Sequence, residues 1–214
     1  MNTLRYTKPK EIEEESMRII EAGLKKRQKQ FSKKELPVIM RAIHTTADFD
    51  YADNIVFTEN AVERIEEIIK KGTTLVTDTE MALSGINKKA LKRFGCGIFC
   101  FMSDPDVAKE AEKNGTTRAY AAMGYAACKY DNASYIIGNA PTALIRLCEL
   151  LSEGSRPSFV IAVPVGFVNV AESKEMILEA CSRYDVPLIV SLKNKGGSNV
   201  AAGIMNALLY QTEE

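Results

Sequence analysis

The chain has a single histidine, His44, in 214 residues. Protein-built zinc sites draw on several histidines or cysteines at fixed spacing. The five cysteines, Cys96, Cys100, Cys128, Cys148 and Cys181, form no C-x-x-C pair, so no metal site is expected. Odd in number and scattered, they read as buried thiols of a reducing compartment, and hence of the cytoplasm, not as a disulfide framework. Charge of one sign is missing too: 28 Lys and Arg balance 28 Asp and Glu. That leaves no basic footprint for nucleic acid, although helix N-termini can still bind anions. No apolar run approaches the ~20 residues of a membrane span, and the longest, from Phe159 to Ala171, is broken by Pro164 and Gly166. The first twenty residues mix basic side chains with glutamates and lack the apolar core of a secretory leader. There are no repeats, no low-complexity run and no linker, which predicts one domain over residues 1–214. Neither G-x-x-x-x-G-K-[ST] nor a G-x-G-x-x-G after a strand is present, which disfavours the usual nucleotide and dinucleotide enzymes.

What the chain does have is regular alternation. Helices are predicted from Pro9 to about Lys29, from near Ser32 towards His44, and from Glu59 to Lys71. Pro9 suits the first turn of the first helix. Ser32 and Glu35 have capping-box spacing for the second. For the third, Thr58 is the expected cap and Gly72 the stop. Five β-rich runs follow: Thr74–Thr77, Gly97–Phe101, Ser134–Ile137, Phe159–Val163 and Leu188–Leu192. Helical segments separate them at Asn87–Phe94, Asp104–Lys129 (broken near Gly115), Pro141–Ser152, Ser173–Arg183 and Ser198–Tyr210. Alternation of this kind predicts an α/β class protein: a three-layer α/β/α arrangement with a mostly parallel sheet of about five strands and an N-terminal helical arm. In such sheets ligands bind outside the carboxyl ends of the strands. Those ends are Thr77-Asp78, Met102-Ser103-Asp104, Gly138-Asn139-Ala140-Pro141, Pro164-Val165-Gly166 and 193–198, the stretches richest in Gly, Pro, Asn and Ser.

Four segments could carry chemistry. In Arg41-Ala42-Ile43-His44, the histidine titrates near neutrality and is the natural general acid or base. The blander alternative is a histidine satisfied by a backbone carbonyl at a helix end. Arg41, three residues earlier on the same helical face, could hold an anion beside it or pair with Asp48. Gly138-Asn139-Ala140-Pro141-Thr142 opens a helix whose first amides can receive a carboxylate, or it is an ordinary strand-to-helix turn. Pro164 to Ala171 is an apolar loop that calls for a cover, and Ser173-Lys174 behind it could bind an anion at a helix start or simply cap it. Lys195-Gly196-Gly197-Ser198 could form an amide nest for an anion. Several helix-start anion sites with few cations suit a large polycarboxylate ligand.

In this order and spacing the segments resemble the precorrin-8X methylmutases, also called cobalt-precorrin-8 methylmutases, of cobalamin biosynthesis. The marks are Glu15-Ser16, Arg41-x-x-His44, Thr77-Asp78 with Met81 and Gly85-Ile86, and Thr116-Thr117-Arg118. They continue with Gly138 to Leu144, Pro164 to Val168 with Glu172-Ser173-Lys174, Lys195 to Ser198, and Asn206 to Leu209. The resemblance covers nearly the whole chain. It implies an isomerase that moves a methyl group from C-11 to C-12 of a corrin-type tetrapyrrole polycarboxylate. No separate cofactor is implied, and any cobalt belongs to the substrate; the metal-free and the cobalt-bearing precursor both fit. The family's proton donor and acceptor matches His44, and its substrate contacts match Ser16 and Arg41. Arg118, Thr142, Ser173, Lys174 and Ser198 are added as carboxylate partners from their places at helix starts. A homodimer is implied, which would cover the apolar loop. Lys193-Asn194 stand where members often have Gly-Arg. Outside this reading stand a non-catalytic corrin-binding protein and a phosphate enzyme built on the Gly196-Gly197 nest.

Overall fold

The computed structural model describes residues 8–213. The expectations of an N-terminus without a leader and of a domain spanning 1–214 reach residues 1–7 and 214, outside that range. A six-stranded sheet runs through the molecule in the order β1-β6-β5-β4-β2-β3. Its strands are β1 (Ile55–Phe57), β2 (Thr74–Thr77), β3 (Gly97–Cys100), β4 (Ser134–Ile137), β5 (Val160–Ala162) and β6 (Leu188–Ser191). All neighbours are parallel except β1, which pairs antiparallel with β6. The five parallel strands are those expected from the sequence. The edge strand β1 was not anticipated: three apolar residues between two helices carry no alternation to read.

Both sheet faces are covered, as buried parallel strands require. On one side lie α1 (Pro9–Lys26), α2 (Glu35–Thr46), α4 (Ala61–Lys71), α5 (Glu80–Gly85), α6 (Lys88–Arg93) and α11 (Ser198–Glu213). On the other lie α7 (Pro105–Asn114), α8 (Arg118–Lys129), α9 (Pro141–Ser152) and α10 (Val170–Arg183). The short α3 (Tyr51–Asn54) leads into β1. Successive strand residues point to opposite faces. Ile136, Ile161 and Ile189 therefore enter the first core, while Tyr135, Ile137, Val160, Ala162, Leu188 and Val190 enter the second.

Local signals explain the helix ends. Ser32 and Glu35 make the reciprocal capping box: the Ser32 amide donates to the Glu35 carboxylate (2.9 Å) and the Glu35 amide to Ser32 Oγ (3.1 Å). Gly115, in the left-handed region at φ 62°, separates α7 from α8. Thr58 does not cap α4. Its Oγ accepts from the Leu188 amide at 2.9 Å and joins β1 to β6, while Asn60 at φ 50° leads into the helix. The thiols are free, but not uniformly buried: Cys181 is buried and Cys128 on α8 is exposed.

One close approach closes the sheet edge. A Cβ on Gly196 would stand 2.1 Å from the Val163 carbonyl oxygen and 2.5 Å from that of Pro164. Gly196→Ala must push backbone against backbone. We expect a loss of about 3 kcal/mol, the upper end for overpacking, measured by denaturant unfolding.

Candidate active site

Chain order places the topological switch between β2 and β4. From β2 the chain goes outward to β3, then crosses back to β4 and proceeds to β5 and β6. A ligand crevice is expected there, above the carboxyl ends. At its base sits Asp78, 1% exposed. Its carboxylate accepts from the amides of Gly138 (2.8 Å), Asn139 (2.8 Å) and Ala140 (2.7 Å). Burial pushes the Asp78 carboxyl above the ordinary range, and the three amides oppose this by favouring its charged form. The amides expected to receive a ligand's carboxylate at the start of α9 are thus occupied by the protein's own. Beside them, Ser198 Oγ lies 2.8 Å from Thr79 Oγ. Gly138 packs so closely on Ser198 that a Cβ would stand 2.7 Å from its Cα. The sequence offered a signal for Asp78, a charged residue ending an apolar strand, but not its partner.

The loop after β6 is held in the complementary way. Lys174 is wholly buried, and its Nζ donates to the carbonyls of Lys193 (2.7 Å) and Lys195 (2.9 Å). Burial pulls its ammonium down to about 8. Ser173 is buried as well, with Oγ donating to Val170 O at 3.1 Å. The expectation that Ser173 and Lys174 bind a substrate anion is corrected. The helix begins at Val170, three residues earlier than predicted, so the Ser173 amide already donates to Asn169 O (3.1 Å). The Gly196-Gly197 nest is corrected in the same way: Gly196 is wedged on β5, and the Gly197 amide donates to Val163 O at 2.9 Å. Asn194 takes a backbone-tethering role, its Nδ2 donating to Gly166 O at 2.7 Å.

His44 lies half-buried in the last turn of α2. Among the described residues its ring makes no hydrogen bond. Arg41 does not pair with Asp48. It reaches Glu13 of α1 at 3.3 Å and stacks over Tyr210 at 5.9 Å. Arg41, Glu13 and Tyr210 line a cleft of about 690 Å³ between α1, α2 and α11, together with Met17, Met40 and Gln211, and His44 is not part of its lining. Ser16 sits on α1 with its hydroxyl turned back to Ile12 O (2.7 Å). On the opposite sheet face, Arg118 is exposed at the first position of α8, and Thr142 Oγ lies 2.7 Å from Thr117 Oγ. The predicted residues therefore form two groups, Ser16, Arg41 and His44 on one face and Arg118 and Thr142 on the other, with Ser198 between them at the switch. Around the edge stand exposed apolar side chains: Met81 after β2, and Val165, Phe167 (94% exposed) and Val168 after β5. Among the described residues no group of three His, Cys, Asp or Glu could hold a metal ion, and no helix is long and apolar enough to cross a membrane.

A sheet covered on both faces, with its carboxyl-edge loops locked from within, defines an α/β/α fold of the class in which ligands bind outside that edge. Comparison with known proteins makes this specific. The precorrin-8X methylmutase family model matches residues 11–211. A cobalt-precorrin-8 methylmutase of Salmonella typhimurium is 46% identical over 178 residues, 83% of this chain and 81% of the relative. A precorrin-8X methylmutase of Sinorhizobium sp is 32% identical over 179 residues, 83% of this chain and 84% of the relative. The crystal structure of a precorrin-8X methylmutase from Thermus thermophilus superposes with a TM-score of 0.84 at 37% identity, covering 94% of this chain and 97% of that one. The chain belongs to the precorrin-8X methylmutase family, isomerases of cobalamin biosynthesis.

The Asp78 lock can be tested alone. Asp78→Asn keeps the shape but turns an NH2 group towards amide donors, leaving at least one buried N–H unpaired. We expect a loss of roughly 2–4 kcal/mol in denaturant unfolding.

Proposed function

We propose that this protein catalyses the shift of a methyl group from C-11 to C-12 of a precorrin-8-type macrocycle, with His44 giving a proton to the ring system and taking it back. The observation that carries this reading is the state of His44. It is the chain's sole histidine, half-buried in the last turn of α2, and no described residue engages its ring nitrogens. A histidine kept for structure spends a nitrogen on a backbone carbonyl or a carboxylate; this one is left to a ligand. Protonation of the macrocycle withdraws electron density from its π-system and lowers the barrier to migration of the methyl group with its bonding pair. A positioned general acid contributes roughly 10²–10⁴-fold, and holding the precursor in reactive geometry contributes more. The reaction is an isomerisation, so the proton returns to His44 and nothing is consumed.

Arg41 and Ser16 would approach the macrocycle from the His44 side, and Arg118 and Thr142 from the far side of the edge. The apolar side chains of Met81, Val165, Phe167 and Val168 suit the faces of a large ring or a second subunit. The cobalt-bearing precursor is the favoured substrate, because the relatives at 46% and 40% identity are cobalt-precorrin-8 methylmutases. We take the working form to be a cytoplasmic homodimer that covers the loop carrying Phe167.

Absorbance titration of wild type and His44→Ala with the metal-free and cobalt-containing precursors tests the chemistry. Wild type should bind and convert, and His44→Ala should bind with conversion reduced at least ~100-fold. Binding without conversion by wild type would leave a corrin-binding protein, and neither binding nor conversion would end the reading. For the dimer, Phe167→Glu should shift the mass measured by light scattering from two chains to one; an unchanged mass would place the interface elsewhere.

A further inference from the structure

We propose that Lys195 is a positioning residue for His44: its ammonium bridges Asp48 and Asp50 and so fixes the end of the helix that carries the imidazole. The proposal rests on the reading of His44 as the proton donor. Since no described residue holds the ring through its nitrogens, the ring's place is set by the backbone of α2 and by packing. That backbone stops one turn later. Ala47 turns into the left-handed region at φ 55°, its amide donating to Ile43 O at 2.7 Å. Asp48 follows. One of its oxygens accepts from the Asp50 amide at 2.9 Å, closing a tight turn. The other accepts from Lys195 Nζ at 2.5 Å, and Asp50 accepts from the same ammonium at 2.7 Å.

The other end of this bridge is rigid. The Lys195 carbonyl accepts from the buried Lys174 Nζ (2.9 Å) and from Ser191 Oγ (3.2 Å). The next residue is the wedged Gly196, whose carbonyl oxygen lies 3.5 Å from the Tyr51 hydroxyl. The last turn of α2 is thereby tied to a part of the sheet edge held by these hydrogen bonds and by the close approach of Gly196 to the Val163 and Pro164 carbonyls. Charge agrees with this role. Two carboxylates surround one ammonium, so the group offers no net positive charge to a polycarboxylate. The two aspartates raise the affinity of Lys195 for its proton, and Lys195 lowers that of Asp48. The Lys195 side chain is 42% exposed, and exposed ion pairs add little to global stability. A role in placing His44 can therefore be separated from a role in folding.

Two readouts test it on the full-length protein, comparing Lys195→Met, Lys195→Arg and the Asp48→Asn/Asp50→Asn double variant with wild type. Because His44 is the only histidine, its ring proton resonance is unique and needs no substrate. It should move or broaden in Lys195→Met and in the double variant, and return in Lys195→Arg, whose guanidinium can span both carboxylates. In turnover of the precursor, kcat should fall about 10- to 100-fold in the same two variants, as small misplacements of a reacting group do, with the Kd for the precursor within about twofold. An unshifted resonance with kcat within twofold of wild type overturns the proposal. So does a raised Kd at constant kcat, which would make Lys195 a substrate contact. If Lys195→Met fails to fold, the double variant decides by the same criteria, since it keeps the lysine stem. His44→Ala in the same assay separates the two ideas. If it is inactive while Lys195→Met behaves as wild type, only the positioning role falls. If it converts substrate normally, the proton-donor reading falls, and the resonance still reports on the bridge.

Discussion

The carboxyl edge of this sheet depends on one constraint: backbone groups buried there must find partners. Parallel strands that feed into helices leave amides at each helix start and carbonyls in each crossing loop. Several of these groups are wholly or partly buried. The protein answers with two buried charges of opposite sign. Asp78 collects three amides at the start of α9, and Lys174 collects two carbonyls of the loop after β6. Burying a charge is costly unless hydrogen bonds replace its hydration, and each of these charges is matched to the backbone sign it meets.

The functional consequence is a preformed platform. With Asp78 in the α9 nest and Lys174 against the loop after β6, these backbone groups have partners within the chain and need none from a ligand. Preorganisation of this kind limits what binding loses to loop ordering. Groups of a different character stand on the rim: the exposed guanidinium of Arg118, the mutually bonded hydroxyls of Thr117 and Thr142, and the exposed apolar side chains of Met81, Phe167 and Val168. A flat, polycarboxylate macrocycle asks for apolar contact at its faces and cations and hydroxyls at its periphery.

His44 stands on α2 in the first layer, whose apolar side (Val38, Ile39, Ala42 and Ile43) is buried in the first core and whose end is tied to the loop after β6 by the ion pairs of Lys195. Arg41 is likewise engaged across helices, with Glu13 and Tyr210. Four of the five thiols are held protonated by burial. Burial is the first cause raising the pKa of Cys96, Cys100, Cys148 and Cys181, with Cys148 at about 11, which keeps them protonated and poorly nucleophilic.

By itself the sequence determined the architecture, because strand and helix periodicity, capping and glycine stops are local. The five parallel strands, the Ser32–Glu35 capping box and the break at Gly115 were all legible. So was the family, from the order of its motifs. Tertiary structure alone decided which loop atoms remain for a ligand. Asp78 lies sixty residues before the amides it binds, and Lys174 about twenty before its carbonyls. No local pattern encodes such pairings. For that reason Ser173, Lys174 and the Gly196-Gly197 nest read as anion sites in sequence and proved to be internal fastenings. The short strand β1 and the partner of Lys195 were hidden for the same reason: each is defined by a distant segment that folding brings alongside.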